Sequence, residues 1–498
     1  MPRVSQSRLS PAPRRRFAPV LAAGAGLAVS LPALALDGVP VGARGQGMAG
    51  ANTASADDTT AQYYNPAVFG LFGEQAAGGG QLAADNTNLG RKGWGWDTDL
   101  GAGYRFNGRM ADYMDRLAGA DLDRFDSIDS RAEAEDLAVL VHDLGGVDNP
   151  GNAFSVDANA ATALRIGHWG IGVRGMAQAS GYVREGDLDT ENFGFTLDSS
   201  STDEIKNHAE NSQRDVLTQG QYDQLEDAYD ADTADAVDDL LAGSETEISQ
   251  ENLDQAVDML VNAESSTGED NQTRITFSGF TLMEVPLSYG RALNEHWAVG
   301  GNLKLMRGRV YGNQVRIFDD EADDVITQTE ERYEQTTTFG VDLGVMGRWE
   351  HFQAGLTGRN LNAPTFDGFR DPESNYRFDD VTLDPHFRAG LAYIPFNTLT
   401  LEVDYDLTAQ ETALPGYETQ YAAVGLEWDA WRFLALRAGA YENTAEDDVG
   451  TVYTAGLGLN LWAARLDIGG AVASEETTVD GETLPRAARV SAELSVDF

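Results

Sequence analysis

Cysteine is absent from the 498 residues. Disulfides, thiolate zinc sites, iron–sulfur clusters and cysteine nucleophiles are therefore excluded. Positive charge is scarce: 35 Lys and Arg stand against 80 Asp and Glu, a formal net charge of −45. That balance excludes broad contact with nucleic-acid phosphates, so no direct nucleic-acid partner is expected. Beyond residue 35 no stretch carries the roughly 18 apolar residues that a membrane helix needs. Passage through a bilayer would then require a closed β-barrel. Catalytic motifs are missing too. His142, His168, His208, His296, His351 and His386 show no ligand spacing and no HExxH. No GxSxG elbow occurs. Carboxylates are so frequent that their pairing carries no signal. Nothing points to an enzyme, a cofactor or a metal. Hydrophobic residues still make up 42% of the chain, enough for an ordered fold.

Arg3, Arg8, Arg14, Arg15 and Arg16 precede an apolar stretch from Phe17 to Leu34, and Ala33-Leu34-Ala35 has the small-x-small form of a cleavage site. Residues 1–35 read as a secretory signal peptide. An uncleaved anchor is the alternative, disfavoured by Pro32 and the short apolar run. Removing the five arginines takes the exported chain to −50.

The C-terminal half is written in period two, the mark of a strand with unlike faces. Leu399, Leu401, Val403, Tyr405 and Leu407 alternate with Thr400, Glu402, Asp404 and Asp406. Val490, Ala492, Leu494, Val496 and Phe498 alternate with Ser491, Glu493, Ser495 and Asp497. The chain ends on an aromatic residue, Phe498, as outer-membrane barrels usually do. Strand candidates fall at 96–107, 153–166, 169–183, 273–291, 296–318, 332–349, 351–361, 385–396, 398–409, 417–428, 431–443, 450–461, 463–476 and 487–498. Their number is about fourteen, even as bacterial barrels require, and short turns alternate with long loops. Residues 74–86 look strand-like too but would break the parity, so they are assigned to an N-terminal plug. Trp94 and Trp96, Trp428 and Trp431, Trp462, and Tyr393 with Phe396 lie near strand ends, as interfacial girdles require. Ordinary aromatic packing in a soluble core is the alternative. The expected fold is all-β: a transmembrane antiparallel β-barrel at 87–498, a luminal plug at 36–86, and acidic helical inserts at about 108–152 and 184–272.

The inserts carry helical stripes. Met110, Tyr113, Met114 and Leu117 share one face, as do Leu253, Ala256, Val257 and Leu260. Thr218 and Gln221 have capping-box spacing ahead of Tyr222, Leu225 and Tyr229. Parity puts both inserts among the external loops, as a solvated cap or as a partner-binding surface. The overall acidity fits a host adapted to salt. The best local calcium pattern, Asp187, Asp189 and Glu191, has Asn192 where an EF-hand loop needs glycine.

Gly45-Gln46-Gly47-Met48-Ala49-Gly50 is a literal GxGxxG, but it has neither the preceding strand nor the following helix of a dinucleotide site. Together with Ala56-Asp57-Asp58 and Tyr64-Asn65-Pro66-Ala67 it resembles the plug segment of FadL-like outer-membrane barrels. Further residues resemble the TraF-type conjugal transfer proteins of that class. They are Leu287-Ser288-Tyr289-Gly290, Leu303 to Tyr311, Asp384 to Tyr393, Asp404-Tyr405-Asp406-Leu407 and Leu436-Arg437-Ala438-Gly439. The likeness runs from about residue 37 to the C-terminus and is weakest in the acidic inserts. It implies an outer-membrane location, fourteen strands, and Gly45, Gly47, Gly50, Asp57, Asp58, Asn65 and Pro66 as the plug motif. It implies a role in envelope transport or conjugative transfer. Passive passage of small hydrophobic compounds and docking of envelope or conjugation proteins are the alternatives, with outer-membrane lipid as surroundings. The name TraF also belongs to a thioredoxin-like protein, and a chain without cysteine gives no support to that chemistry. Asp57 and Asp58 are candidates to bond Arg307, Arg437 or Arg465 inside the lumen. The plug reads either as a seal or as a ligand gate.

Overall fold

The computed structural model describes residues 40–72, 93–113, 131–189, 199–208, 216–244, 248–263, 271–316 and 332–498, the last without 373, 413, 431–432, 462–463 and 480–481. The expected signal peptide, residues 1–35, and the strand-like residues 74–86 lie outside the described residues.

Fourteen antiparallel strands close on themselves. They are β1 Trp94–Asn107, β2 Ala153–Ile166, β3 Trp169–Tyr182, β4 Arg274–Ala292, β5 Trp297–Arg316, β6 Tyr333–Arg348, β7 Phe352–Arg359, β8 His386–Phe396, β9 Leu399–Asp406, β10 Tyr421–Ala430, β11 Leu434–Asn443, β12 Val452–Leu461, β13 Ala464–Ala473 and β14 Ala487–Asp497. Every expected strand is present, with ends within four residues of those read from the pattern. The closing pair is β1 with β14, in a register that puts Asp97 opposite Ser495 and Asp99 opposite Glu493. Closure matters physically, because an open edge in hydrocarbon would leave a row of backbone groups without partners.

The alternation points the opposite way from a soluble sheet. On β9, Val403 and Tyr405 are 57% and 41% exposed, while Glu402, Asp404 and Asp406 are buried. β13 repeats this, with Ile468 and Val472 outward and Asp467 inward. In water such an apolar circumference would be an aggregation hazard. Against acyl chains it matches its solvent. Two aromatic belts flank the band. At the short-turn rim Trp94 stacks on Phe498 at 5.0 Å, Trp169 meets Tyr289, Trp297 meets Trp349 and Phe352 meets Tyr393. Trp428 and Phe396 are exposed at the same rim, whereas Trp96 is half-buried and donates to Thr162. At the other rim Tyr333, Phe387, Tyr405 and Tyr453 face outward. The girdle expectation holds for Trp94, Trp428, Tyr393 and Phe396; the side chains of Trp431 and Trp462 lie outside the described residues.

The two inserts leave from the long-loop rim and pack into one helical cap. After the short helices α1 (Ala43–Gly47) and α2 (Ala61–Tyr64), the cap supplies α3 Arg131–Leu144, α4 Ser199–His208, α5 Gln219–Ala228, α6 Ala231–Gly243 and α7 Gln250–Asn262. Its core joins Tyr113, Val141, Leu144, Leu225, Leu240, Leu253 and Val257 to Ile275, Phe277 and Tyr311 of the wall. The Thr218–Gln221 capping box forms as the spacing predicts. Residues 110–113 are helical, while Met114 and Leu117 lie outside the described residues. The Asp-rich run from Asp230 to Asp239 is not wholly solvated: Asp230 caps α6 through Thr233 N, and buried Asp238 accepts from Val216 N and Leu217 N. No described helix is long and apolar enough to cross a membrane.

Candidate functional site

The inward faces of the strands meet residues 40–72, and contacts fall on β1 and on β3 through β14. Alternating glycines let the two backbones approach. A Cβ placed on Gly425, Gly439, Gly456 or Gly469 would come within 3.0 Å of Met48, Ala49, Gly47 or Ala43. Side chains on the wall then satisfy the segment's backbone. Asp404 Oδ2 accepts from Asn52 N and Thr53 N, both at 3.1 Å, and Glu402 Oε1 accepts from Ala54 N at 2.6 Å. A non-helical segment at this depth needs such partners, since unpaired buried amides are costly.

Each residue of the expected motif has an identifiable place. Gly45 lies against the Tyr64 hydroxyl with no room for a Cβ, and Gly47 lies against Gly456 and Arg437, where a Cβ would be tight. Gly50 has φ +79°, a conformation that L side chains rarely adopt. Asn65 is extended, as a residue before proline prefers. Its Nδ2 donates to Thr53 O and Val345 O, each at 3.1 Å, and its Oδ1 accepts from Ala67 N. Pro66 opens the 3-10 turn Pro66–Leu71, where a missing N–H costs nothing. Asp57 lies 3.8 Å from Arg44 Nε. Asp58 accepts from Thr60 N and the Thr60 hydroxyl. Phe498 exchanges two backbone hydrogen bonds of 2.9 Å with Trp94, completing the seam.

The expected arginine partners need correction. Arg307 shares the outward face of β5 with Leu303 and Leu305 and cannot reach the lumen. Arg437 is inside but binds Glu427 at 2.6 Å and Asp467 at 2.7 Å. Arg465 binds Asp467 at 2.7 Å and lies within electrostatic reach of both Asp57 and Asp58. The segment instead supplies the cation. Arg44 reaches Glu427 with Nε and Nη2 at 3.0 Å each, a two-pronged geometry suited to a carboxylate. Arg388 Nη1 binds Asp406 at 2.8 Å, and its Nη2 donates to Gly50 O. Of the calcium pattern, Asp187 is engaged by Arg184 and Gln314, and Asp189 by Gln272 N. Glu191 lies outside the described residues.

The sequence reading missed Gln62. The β3–β4 ladder has no pairing at Gly172 and Val173, opposite Val285 and Pro286. Gln62 Nε2 fills that place, donating to Ser288 Oγ at 2.7 Å and Pro286 O at 3.3 Å. Pro286 inside a strand was the available signal, because proline cannot donate to a ladder.

A cavity of about 380 Å³ opens between the segment and the long loops. Met176, Phe280, Leu282 and Phe378 form an apolar side. Arg174, Glu284, Lys304 and Asp342 form a charged floor: Lys304 Nζ lies 3.3 Å from Glu284 and 3.0 Å from Asp342. Tyr63 lies between the guanidinium groups of Arg174 and Arg359, 4.7 and 4.4 Å from its ring centre.

A closed fourteen-strand wall, apolar outside and charged inside, with aromatic rims, defines a transmembrane β-barrel. The chain belongs to the family described as F plasmid transfer operon, TraF, protein, which matches residues 62–406. Among solved structures it is similar to the toluene transporter TbuX of Ralstonia pickettii, at 12% identity over 92% of this chain and 97% of that one, with a TM-score of 0.43. It is similar to the toluene transporter TodX of P. putida, at 10% identity over 93% and 99%, TM-score 0.44. A Pseudomonas aeruginosa FadL homologue matches at 10% identity over 94% and 100%, TM-score 0.41. No curated protein matches the chain.

Proposed function

We propose that this chain is an outer-membrane barrel of the TraF family, without enzymatic activity, serving envelope transport or conjugative transfer, with residues 40–72 as its luminal plug. The observation that carries this reading is the inverted wall: apolar side chains outward, and charged side chains inward against the plug. Export by the N-terminal signal peptide belongs to the same reading. Cell fractionation with gel migration before and after boiling tests it. The expected result is outer-membrane recovery with a heat-dependent shift; a soluble protein with no shift would overturn it. Deleting the gene from a conjugation donor should then lower transfer frequency, with recovery on complementation.

A second reading, a passive channel for small hydrophobic compounds, is favoured by Met176, Phe280, Leu282 and Phe378 along the cavity. Proteoliposomes holding the protein should take up a monoaromatic probe such as radiolabelled toluene, and Phe280→Arg should abolish the uptake. The cap separates the two readings. Deleting residues 184–272 should spare uptake and abolish docking of an envelope partner. Uptake indifferent to Phe280→Arg would remove the channel reading.

A further inference from the structure

Three carboxylates from distant parts of the chain converge beside the seam of the barrel. Asp58 comes from the plug, Asp97 from β1 and Glu493 from β14, and one oxygen of each lies within 4.8 Å of the others. They are 3%, 2% and 2% exposed. Like charges so placed repel unless a cation or protons neutralise them. Among the described residues none of the three forms an ion pair. The nearby guanidinium groups are committed elsewhere: Arg465 to Asp467, Arg44 to Glu427, Arg489 to Asp157 and Arg174 to Glu284.

A second observation points to a ligand. Glu493 Oε1 is buried without a hydrogen-bond partner. A buried oxygen left in that state is costly. One oxygen of each carboxylate is held by a backbone amide. Glu493 Oε2 accepts from Arg44 N at 3.4 Å, Asp97 Oδ1 from Ala163 N at 3.1 Å, and Asp58 Oδ1 from Thr60 N at 2.9 Å. Neighbours that fix carboxylates in this manner are what metal sites use to orient ligands.

We propose that Asp58, Asp97 and Glu493 bind one hard divalent cation of the calcium class, which pins the plug to the two strands that close the barrel. Three oxygen donors suit a hard ion rather than zinc or copper. An ion with calcium–oxygen bonds of about 2.4 Å spans ligand oxygens up to about 4.8 Å apart, so all three can share one coordination shell. The ion supplies +2 to three carboxylates, and the unpartnered oxygen becomes a ligand. No spacing in the sequence could announce this site, because its ligands come from three separate segments.

The test uses the full chain extracted from membranes, stripped with EDTA and titrated with radioactive calcium by equilibrium dialysis at 0.15 M salt. The expected result is one tight equivalent per chain that Glu493→Gln and Asp58→Asn each weaken about tenfold or more. Calcium should also raise the temperature of the gel-mobility transition in the parent chain and leave it unmoved in Glu493→Gln. Asp58→Asn leaves the wall unaltered, and the mobility shift of each variant reports a closed barrel. Equal binding by parent and Glu493→Gln would assign calcium to the acidic cap and overturn the proposal. Absence of a tight equivalent in the parent would leave protons as the neutralising species and overturn it too.

Discussion

On β9, valine and tyrosine face outward while Glu402, Asp404 and Asp406 are buried. On α7, Leu253, Ala256, Val257 and Leu260 are buried while Asp254 and Asp258 face out. One chain thus folds by two opposite inside-out rules, and the boundary runs along the long-loop rim. The wall gains nothing from hiding apolar side chains, because its surroundings are themselves apolar. Its specificity comes from luminal ion pairs and close glycine contacts. The cap folds by burying apolar surface from water, as a soluble helical domain does. Hydrophobicity identifies the inside of a fold only once the solvent is known.

The largest test of this contrast is on the luminal side. Glu427→Ala should take from buried Arg44 its nearest carboxylate and from buried Arg437 one of its two, and cost about 3–5 kcal/mol, read as a lower denaturant midpoint in detergent. Leu253→Ala should cost about 2–5 kcal/mol but charge it to the cap alone. Trypsin should then trim the cap while the gel-mobility shift of the barrel persists; loss of both together would erase the boundary drawn here. Val403→Arg, mid-strand on the outer face, should cost about 2–4 kcal/mol, measured by refolding into vesicles. A like change at exposed Asp258 should stay within about 0.5 kcal/mol.

The smallest effect concerns pH. The Asp230 carboxyl is held at about 2 by hydrogen bonds from the Lys206 ammonium and from Thr233. Its folded value lies below the ordinary 3.8, so its contribution is complete above that pH and is lost as pH falls through about 2. Asp230→Ala should remove the N-cap of α6, at a cost of about 0.5–2 kcal/mol. Faster amide exchange in α6 at neutral pH would register it. The variant should also flatten the acid limb of cap unfolding between about pH 4 and 2.

The wall was legible because period two repeats over long strands and turn length alternates with rim. Arg307 was legible too: its parity with Leu303 and Leu305 already put it outside, and the luminal pairing offered for it ignored that period. The Thr218–Gln221 cap is a local signal and appears where its spacing says. Luminal partners were not legible. Arg44 meets Glu427 across 383 positions, and period two reveals which way a carboxylate points but not what it meets. The inward glycines were available in the text of the strands, yet only a body inside the barrel gives them meaning.

The β1–β14 seam carries a consequence for the order of assembly. Its register sets Asp99 opposite Glu493, whose Oε2 accepts from the amide of Arg44. Arg44 is therefore held by a strand 449 positions further along the chain. Were residues 40–72 seated before β1 pairs with β14, they would act as a mould on which the circle is drawn shut. Contacts so far apart in sequence make this a slow step, and a barrel released early would close around nothing.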